Sequence, residues 1–158
     1  MIWRWFLIIL VSIGVSACQA LPSQSSDALQ VVATPCTTNC NGTPYAISVR
    51  DNMFFSIDTI TIDAGQPLAI DFANTSRLPH NLVIIDGDMA VAIAVNRDAI
   101  NQADYLPQHP AVIVSLPIVM PNQTGSITWD SPQPGTYLFI CTYPGHFDAG
   151  MYGTITIK

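Results

Sequence analysis

The side chains best suited to chemistry lie near the C-terminus, in the stretch that runs from Cys141 to Met151. Cys141, His146 and Met151 supply a thiol, an imidazole and a thioether in that order. A second imidazole, His80, lies much earlier in the chain. Thiolate, imidazole and thioether groups together bind soft and borderline transition metals. The four residues therefore predict a metal site.

Two histidines, one cysteine and a weakly bound methionine are the ligands of a type 1, or blue, copper site. The three strong donors would lie in a plane around the metal, with the thioether on the axis, and this set suits both Cu(I) and Cu(II). Each residue alone also has an ordinary interpretation, because Cys141 and Met151 could be core residues and His146 a surface residue. Their order on one loop favours the copper site. His109 is expected to be an ordinary surface residue.

Other functions fit the same residues less well. With four ligands assigned, His109 is the one histidine left, which is too few for the additional copper sites of a copper oxidase. We therefore expect an electron-transfer protein with one copper, and not an enzyme. The alternative is a copper-binding or copper-delivery protein that uses the thiols of Cys36 and Cys40. Zinc could also occupy the four-ligand site, because Cys and His suit it.

The elements that must position these ligands are short strands. Alternating apolar and polar residues between turn residues predict seven or eight strands, and 12 Pro and 9 Gly argue against long helices. The expected fold is all-β, a sandwich or closed barrel of antiparallel type. One helical insertion is predicted over residues 89–105. The strands are predicted at residues 46–50, 59–63, 68–72, 81–85, 111–116, 126–129, 136–141 and 152–157, and the apolar stripe of the helix at Ala90, Ile93, Ala94, Ala99 and Ile100.

The N-terminal region predicts export and attachment to a membrane. Residues 1–17 contain Arg4, an apolar run and then small residues, which is the layout of a signal peptide. The sequence Val15-Ser16-Ala17-Cys18 resembles the bacterial lipobox, so residues 1–17 are expected to be a lipoprotein signal peptide and Cys18 to be acylated. Residues 18–43 are rich in polar residues and Pro, which predicts a flexible, lipid-anchored linker. Within it, Cys36 and Cys40 could form a small disulfide or a thiolate pair for a soft metal.

The composition limits the classes of molecule that this protein can bind. The chain has 158 residues, 49% of them hydrophobic and 10% charged, with a formal net charge of −6. These values predict one globular domain, over residues 44–158, and argue against a nucleic-acid partner, which needs a basic face. Apolar residues near the histidines are expected to form a small docking face for transient redox partners. The candidates are Leu78, Pro79, Pro144, Phe147 and Ala149.

From Tyr45 to Lys158 the chain resembles the cupredoxins, and among them the auracyanins. The resemblance rests on His80-Asn81, the helical insertion, and the loop from Cys141 to Met151, in which four residues separate His146 from Met151. Two further segments contribute to it: Pro134-Gly135-Thr136-Tyr137-Leu138 and Gly153-Thr154-Ile155-Thr156.

This resemblance implies a Greek-key β-sandwich that holds one type 1 copper through His80, Cys141, His146 and Met151. It also implies that Asn81 links the two ligand segments by hydrogen bonds near Thr142. A weak fifth contact from the Pro79 carbonyl is left open.

The resemblance further implies an electron carrier between a membrane quinol-oxidising complex and a reaction centre or another terminal acceptor, such as a cytochrome. We expect a monomer outside the cytoplasm, held at the cell membrane by its lipid.

Overall fold

The computed structural model describes residues 44–158, apart from Asn52 and Ser131. The predicted signal peptide, the predicted linker and the residues Cys18, Cys36 and Cys40 lie outside the described residues. Within the described part, no helix combines the length and apolar character that crossing a membrane requires.

In the described residues, eight strands form two sheets, which confirms the predicted β-sandwich. One sheet has three strands in the order β1-β3-β6, and the other has five in the order β2-β8-β7-β4-β5. The strands are β1 (Tyr45–Val49), β2 (Thr59–Ile62), β3 (Leu68–Asn74), β4 (His80–Ile85), β5 (Val112–Val119), β6 (Thr124–Trp129), β7 (Gly135–Ile140) and β8 (Tyr152–Ile157).

The pairing is mixed, whereas the sequence predicted an antiparallel fold. β1 pairs with β3 in parallel, and β2 pairs with β8 in parallel, while the other pairs are antiparallel. The reason is the path of the chain, which leaves the first sheet after β1, contributes β2 to the second sheet, and returns to β3 in the original direction. Alternation along a strand shows which face is buried but not the direction of its neighbour.

The main core lies between the sheets and is built from alternate residues of their strands. In β4, Leu82 and Ile84 point into this core, while Val83 and Ile85 point to the outer face of the five-stranded sheet. Helix α1 (Met89–Ala99) packs against Val83 and Ile85 on that outer face, and all six residues of β4 are buried. The ligand-bearing strand is therefore held from both sides.

Helix α1 begins at the N-cap Asp88, whose carboxylate accepts hydrogen bonds from the backbone N–H groups of Ala90 and Val91. It is shorter than predicted: it ends at Ala99 and is followed by a separate 3-10 turn, η1 (Ala103–Tyr105).

The predicted apolar stripe of α1 was wrong except at Ala99. The buried residues are Ala92, Val95, Asn96 and Ala99, whereas Ala90, Ile93, Ala94 and Ile100 are exposed. Apolar residues occur all round this helix, so periodicity alone could not choose the face that packs on the sheet.

Candidate metal centre

Three of the predicted ligands meet at one end of the sandwich. His80 is the first residue of β4, Cys141 directly follows β7, and His146 lies in the loop between β7 and β8. The Sγ atom of Cys141 is 3.8 Å from Nδ1 of His80 and 3.5 Å from Nδ1 of His146. The potential ligand atoms of the three residues lie within 4.8 Å of one another, and all three residues are buried.

These separations fit a single metal ion. Zinc binds sulfur at about 2.3 Å and imidazole nitrogen at about 2.0 Å, so ligand angles of about 110 to 120° would separate the two ligand atoms by about 3.5 to 3.7 Å. The measured sulfur–nitrogen distances of 3.5 and 3.8 Å match this range to within about 0.1 Å. A thiolate with two imidazoles is the strong-donor set of a type 1 copper site.

The strand pairing explains why the ligands share one side of the sheet. Val83 of β4 pairs with Ile140 of β7, so continuing this antiparallel register places Asn81 opposite Thr142. Side chains alternate between faces along a strand. His80 and Cys141 therefore point to the inner side, and Asn81 and Thr142 point to the outer side.

Backbone hydrogen bonds within the loop fix the position of His146. The carbonyl of His146 accepts a bond from Met151 N at 3.0 Å, and the N–H of His146 donates to the carbonyl of Tyr143 at 3.0 Å. Gly145 and Gly150 adopt φ values of 81° and 98°, the left-handed region that glycine enters without steric cost. The loop can therefore turn sharply on both sides of His146.

Met151 is the last residue of the loop, directly before β8. Its side chain is fully buried in the main core, and its carbonyl accepts a hydrogen bond from Cys141 N at 3.1 Å. It thus lies at the base of the loop that carries the other ligands. Its role as the axial ligand stays a prediction.

Asn81 joins the two ligand segments on the outer side. Its Oδ1 accepts a bond from Thr142 N at 2.8 Å, and its Nδ2 donates to Thr142 Oγ1 at 2.8 Å. The carbonyl of Tyr105, in η1, accepts bonds from Thr142 Oγ1 at 2.7 Å and from Asn81 Nδ2 at 3.2 Å. Three segments that are distant in sequence are therefore linked directly behind the ligands.

Burial decides the protonation of the ligands in the metal-free protein. It lowers the pKa of His80 to about 4, with a further contribution from the nearby His146, and it lowers the pKa of His146 as well. It raises the pKa of the Cys141 thiol to about 11, although hydrogen bonds from the backbone N–H groups of Asn81 and Tyr143 partly oppose this rise. At neutral pH the imidazoles are ready to bind a metal, whereas the thiol must lose a proton.

The surface beside the site is apolar, but it differs from the predicted docking face: Phe147 is buried, and the exposed Met120 was not predicted. The predicted Ala149 is exposed but is not included in the surface defined below. Leu78 is 43% exposed and Met120, which directly follows β5, is 48% exposed. Pro144 is also exposed, and Pro79 is half-buried. Phe147 was wrongly assigned to this surface, because its ring packs into the cluster beneath α1. We call Leu78, Pro79, Met120 and Pro144 the apolar rim.

Three contacts near the ligands were not anticipated, two of them between buried polar side chains and one between half-buried rings. Ser76 Oγ lies 2.8 Å from Nε2 of His80, and the buried amide of Asn74 contacts Ser76. The ring of Tyr105 packs edge-on against that of Tyr143, with centroids 5.4 Å apart. In the sequence, only the short polar side chains just before His80 could have indicated the contacts of Asn74 and Ser76, because such side chains often form hydrogen bonds with nearby backbone groups. His109 is half-buried and lies outside the cluster of three ligands.

Comparison with known proteins agrees with this geometry. Residues 45–158 match the family described as copper binding proteins, plastocyanin/azurin family. This chain belongs to that family. Together with the clustered donors, membership indicates a copper-binding protein that takes one type 1 copper.

The relatives include auracyanins. The chain is 37% identical over 144 residues to auracyanin-B of Chloroflexus aurantiacus, an alignment that covers 84% of this chain and 61% of that protein. It is 33% identical to auracyanin-A of the same organism over 70% of this chain and 71% of the relative. Among solved structures, reduced auracyanin from Roseiflexus castenholzii superposes with a TM-score of 0.69 at 35% identity. That match covers 74% of this chain and 98% of the solved one, and it supports the Greek-key β-sandwich.

Proposed function

We propose that this protein is an auracyanin-like carrier that moves single electrons between membrane redox complexes outside the cytoplasm. The observation that carries the proposal is the buried cluster of one thiol and two imidazoles next to an exposed apolar surface. A bound copper ion would supply the one-electron couple. The proposed ligands are His80, Cys141, His146 and Met151.

Residues around the site would favour fast electron transfer because they hold the metal ligands in fixed positions. The loop that carries His146 is held by its own backbone bonds, and Asn81 ties it to β4 through Thr142. A site that changes little between oxidation states needs little rearrangement when an electron arrives. With the strong donors committed to the metal, we infer a carrier and not an enzyme.

The apolar rim is the proposed docking face. Its members flank the ligands: Leu78 and Pro79 precede His80, Pro144 precedes His146, and Met120 follows Val119, which pairs with His80. The amide of Asn74 donates to the carbonyls of both Leu78 and Val119 at 2.8 Å, which holds the two rim segments together. A small apolar face allows transient encounters and rapid release.

The proposed organisation is a signal peptide over residues 1–17, a lipid-anchored linker over residues 18–43, and a copper domain over residues 44–158. Acylation of Cys18 would keep the domain near the membrane complexes. The partners would be a quinol-oxidising complex as donor and a reaction centre, cytochrome or other terminal acceptor.

Charge substitutions on the rim test the proposal. Leu78→Asp and Met120→Asp should each lower the second-order rate of reduction of the copper-loaded protein by a membrane quinol-oxidising complex at least tenfold. The matched control is Ile100→Asp, which places the same charge at a residue 53% exposed just after α1. Stopped-flow kinetics would measure the rates, and voltammetry would check that the potentials are unchanged. Equal rates for all three variants would contradict the docking face.

A further inference from the structure

A buried polar network lies behind His80, on the side away from the ligand cluster. Asn74 and Ser76 are 1% and 4% exposed. The amide nitrogen of Asn74 donates to the carbonyls of Leu78 and Val119, both at 2.8 Å. Its oxygen accepts bonds from Ser76 N at 3.0 Å and from Ser76 Oγ at 2.8 Å. Ser76 Oγ in turn lies 2.8 Å from Nε2 of His80.

The heavy atoms alone fix the direction of every bond in this network. Carbonyl oxygens can only accept, so the Asn74 atom near Leu78 and Val119 must be the nitrogen, and the atom facing Ser76 must be the oxygen. Neither that oxygen, 2.8 Å from Ser76 Oγ, nor the Leu78 carbonyl oxygen, 3.1 Å from it, carries a hydrogen, so the serine hydrogen must be donated to these acceptors. The hydroxyl has only one hydrogen. It must therefore accept, not donate, at His80.

We infer that Asn74 and Ser76 are positioning residues that fix the tautomer and ring orientation of His80. With Ser76 Oγ as acceptor, Nε2 of His80 carries the proton. Nδ1 then presents its lone pair, and this is the nitrogen that lies 3.8 Å from Cys141 Sγ. The inference rests on the proposed function in one respect, the assignment of His80 as a metal ligand. It adds that the fold prepares this ligand before the metal arrives.

An unpaired polar group in a buried site costs free energy. Without the Ser76 hydroxyl, the Nε2–H group of His80 would have no acceptor in a place that excludes water, and the ring would be free to turn or change tautomer. Removing such an outer partner typically weakens metal binding 10- to 100-fold. A substitution at Ser76 should therefore act at the metal site through His80.

Ser76→Ala removes the acceptor, and Ser76→Thr restores a hydroxyl. The matched control is Thr75→Ala, which also deletes one hydroxyl from the same loop, but one that donates to the carbonyl of Val49 at 2.7 Å. The first readout is the long-range proton–nitrogen NMR spectrum of the full-length, metal-free protein, which reports the tautomer and the solvent exchange of the His80 proton. The second is the dissociation constant for Zn²⁺, a redox-inert probe.

In the wild type, Nε2 of His80 should carry a proton that exchanges with water at least tenfold more slowly than that of the half-buried His109. Ser76→Ala should lose this protection and bind Zn²⁺ 10- to 100-fold more weakly, whereas Thr75→Ala and Ser76→Thr should stay within about threefold of wild type. An unprotected or Nδ1-protonated His80 in the wild type would overturn the inference even if Ser76→Ala failed to fold. Equal effects of Ser76→Ala and Thr75→Ala would also overturn it.

The NMR measurement needs no metal, so it separates this inference from the proposed function. A protected Nε2 proton in a wild-type protein that binds neither copper nor Zn²⁺ would support the tautomer and refute the metal site.

Discussion

Asn81→Ala should destabilise the metal-free protein by about 2–4 kcal/mol, because Asn81 connects the two ligand segments. The largest contribution to this loss of stability comes from the Thr142 N–H group, which is buried and would lose its acceptor, Asn81 Oδ1, 2.8 Å away. An unsatisfied buried donor costs about 1–3 kcal/mol, and each lost hydrogen bond contributes about 1 kcal/mol. Thr142 Oγ1 would keep its bond to the Tyr105 carbonyl, which limits the total. Against a typical stability of about 5–15 kcal/mol this is a large loss.

Thr142→Val should cost less, about 1 kcal/mol. It keeps the bond from Thr142 N to Asn81 Oδ1, and Asn81 Nδ2 can still donate to the Tyr105 carbonyl at 3.2 Å. The control is Asn101→Ala, which removes an exposed side chain bonded to the Arg97 carbonyl at 3.3 Å and should change stability by less than about 0.5 kcal/mol.

Urea unfolding of the four proteins would give these free energies, provided that the slopes with denaturant stay equal. The order of cost should be Asn81→Ala, then Thr142→Val, then Asn101→Ala. The reasoning is refuted if Asn81→Ala is no more destabilising than the exposed control, or if Thr142→Val costs more than Asn81→Ala.

Four further predictions concern proton release on metal binding, the pH dependence of stability, the axial ligand and the lipid anchor. Binding of Zn²⁺ at pH 7.5 should release about one proton, from Cys141. Burial raises the pKa of this thiol to about 11, whereas the pKa of His80 is lowered to about 4 and that of His146 is also lowered. Calorimetry in buffers of different ionisation enthalpy would measure the number of protons released, and a release of two protons would contradict the assignment of Cys141 as their single source. By linkage, the metal-free protein should lose stability as the pH falls from about 6.5 towards 4, because His80 binds a proton there in the unfolded chain but not in the folded protein. It should also lose stability as the pH rises from about 9 towards 11, because the Cys141 thiol ionises there only in the unfolded chain. Met151→Leu should keep the copper, lower the free energy of unfolding by about 1 kcal/mol or less and raise the reduction potential. Met151→Gln supplies a harder oxygen ligand and should lower the reduction potential. Voltammetry that shows shifts of the same sign for the two variants would exclude Met151 as the axial ligand. Full-length protein expressed in a bacterium should carry an acylated N-terminal Cys18, which Cys18→Ser abolishes, and a mature mass without acyl chains would contradict the lipid anchor.

The sequence was sufficient to predict the sandwich and the residues that form the cluster. Alternating burial is a local property of each strand, so β2, β7 and β8 were recognisable without their neighbours. The donor residues were recognisable because thiol, imidazole and thioether groups seldom occur together on one loop without a metal. The eight strands and the close approach of His80, Cys141 and His146 agree with those expectations.

The features that the sequence did not predict depend on packing between distant segments. Either side of α1 is apolar enough to be buried, so the choice of Val95 over Ile93 depends on the sheet beneath it. Phe147 is buried for the same reason. The network of Asn74 and Ser76 depends on the exact approach of the Leu78 and Val119 carbonyls, which no local pattern encodes.

The most direct test of the account is the visible spectrum of the oxidised protein loaded with one copper. A thiolate from Cys141 bound to Cu(II) should give an intense blue or green colour, and Cys141→Ser should give a folded protein that is nearly colourless. Ser76→Thr, which leaves the three strong donors intact, should keep the colour. Weak visible absorption by the wild type with one bound copper would contradict the type 1 site.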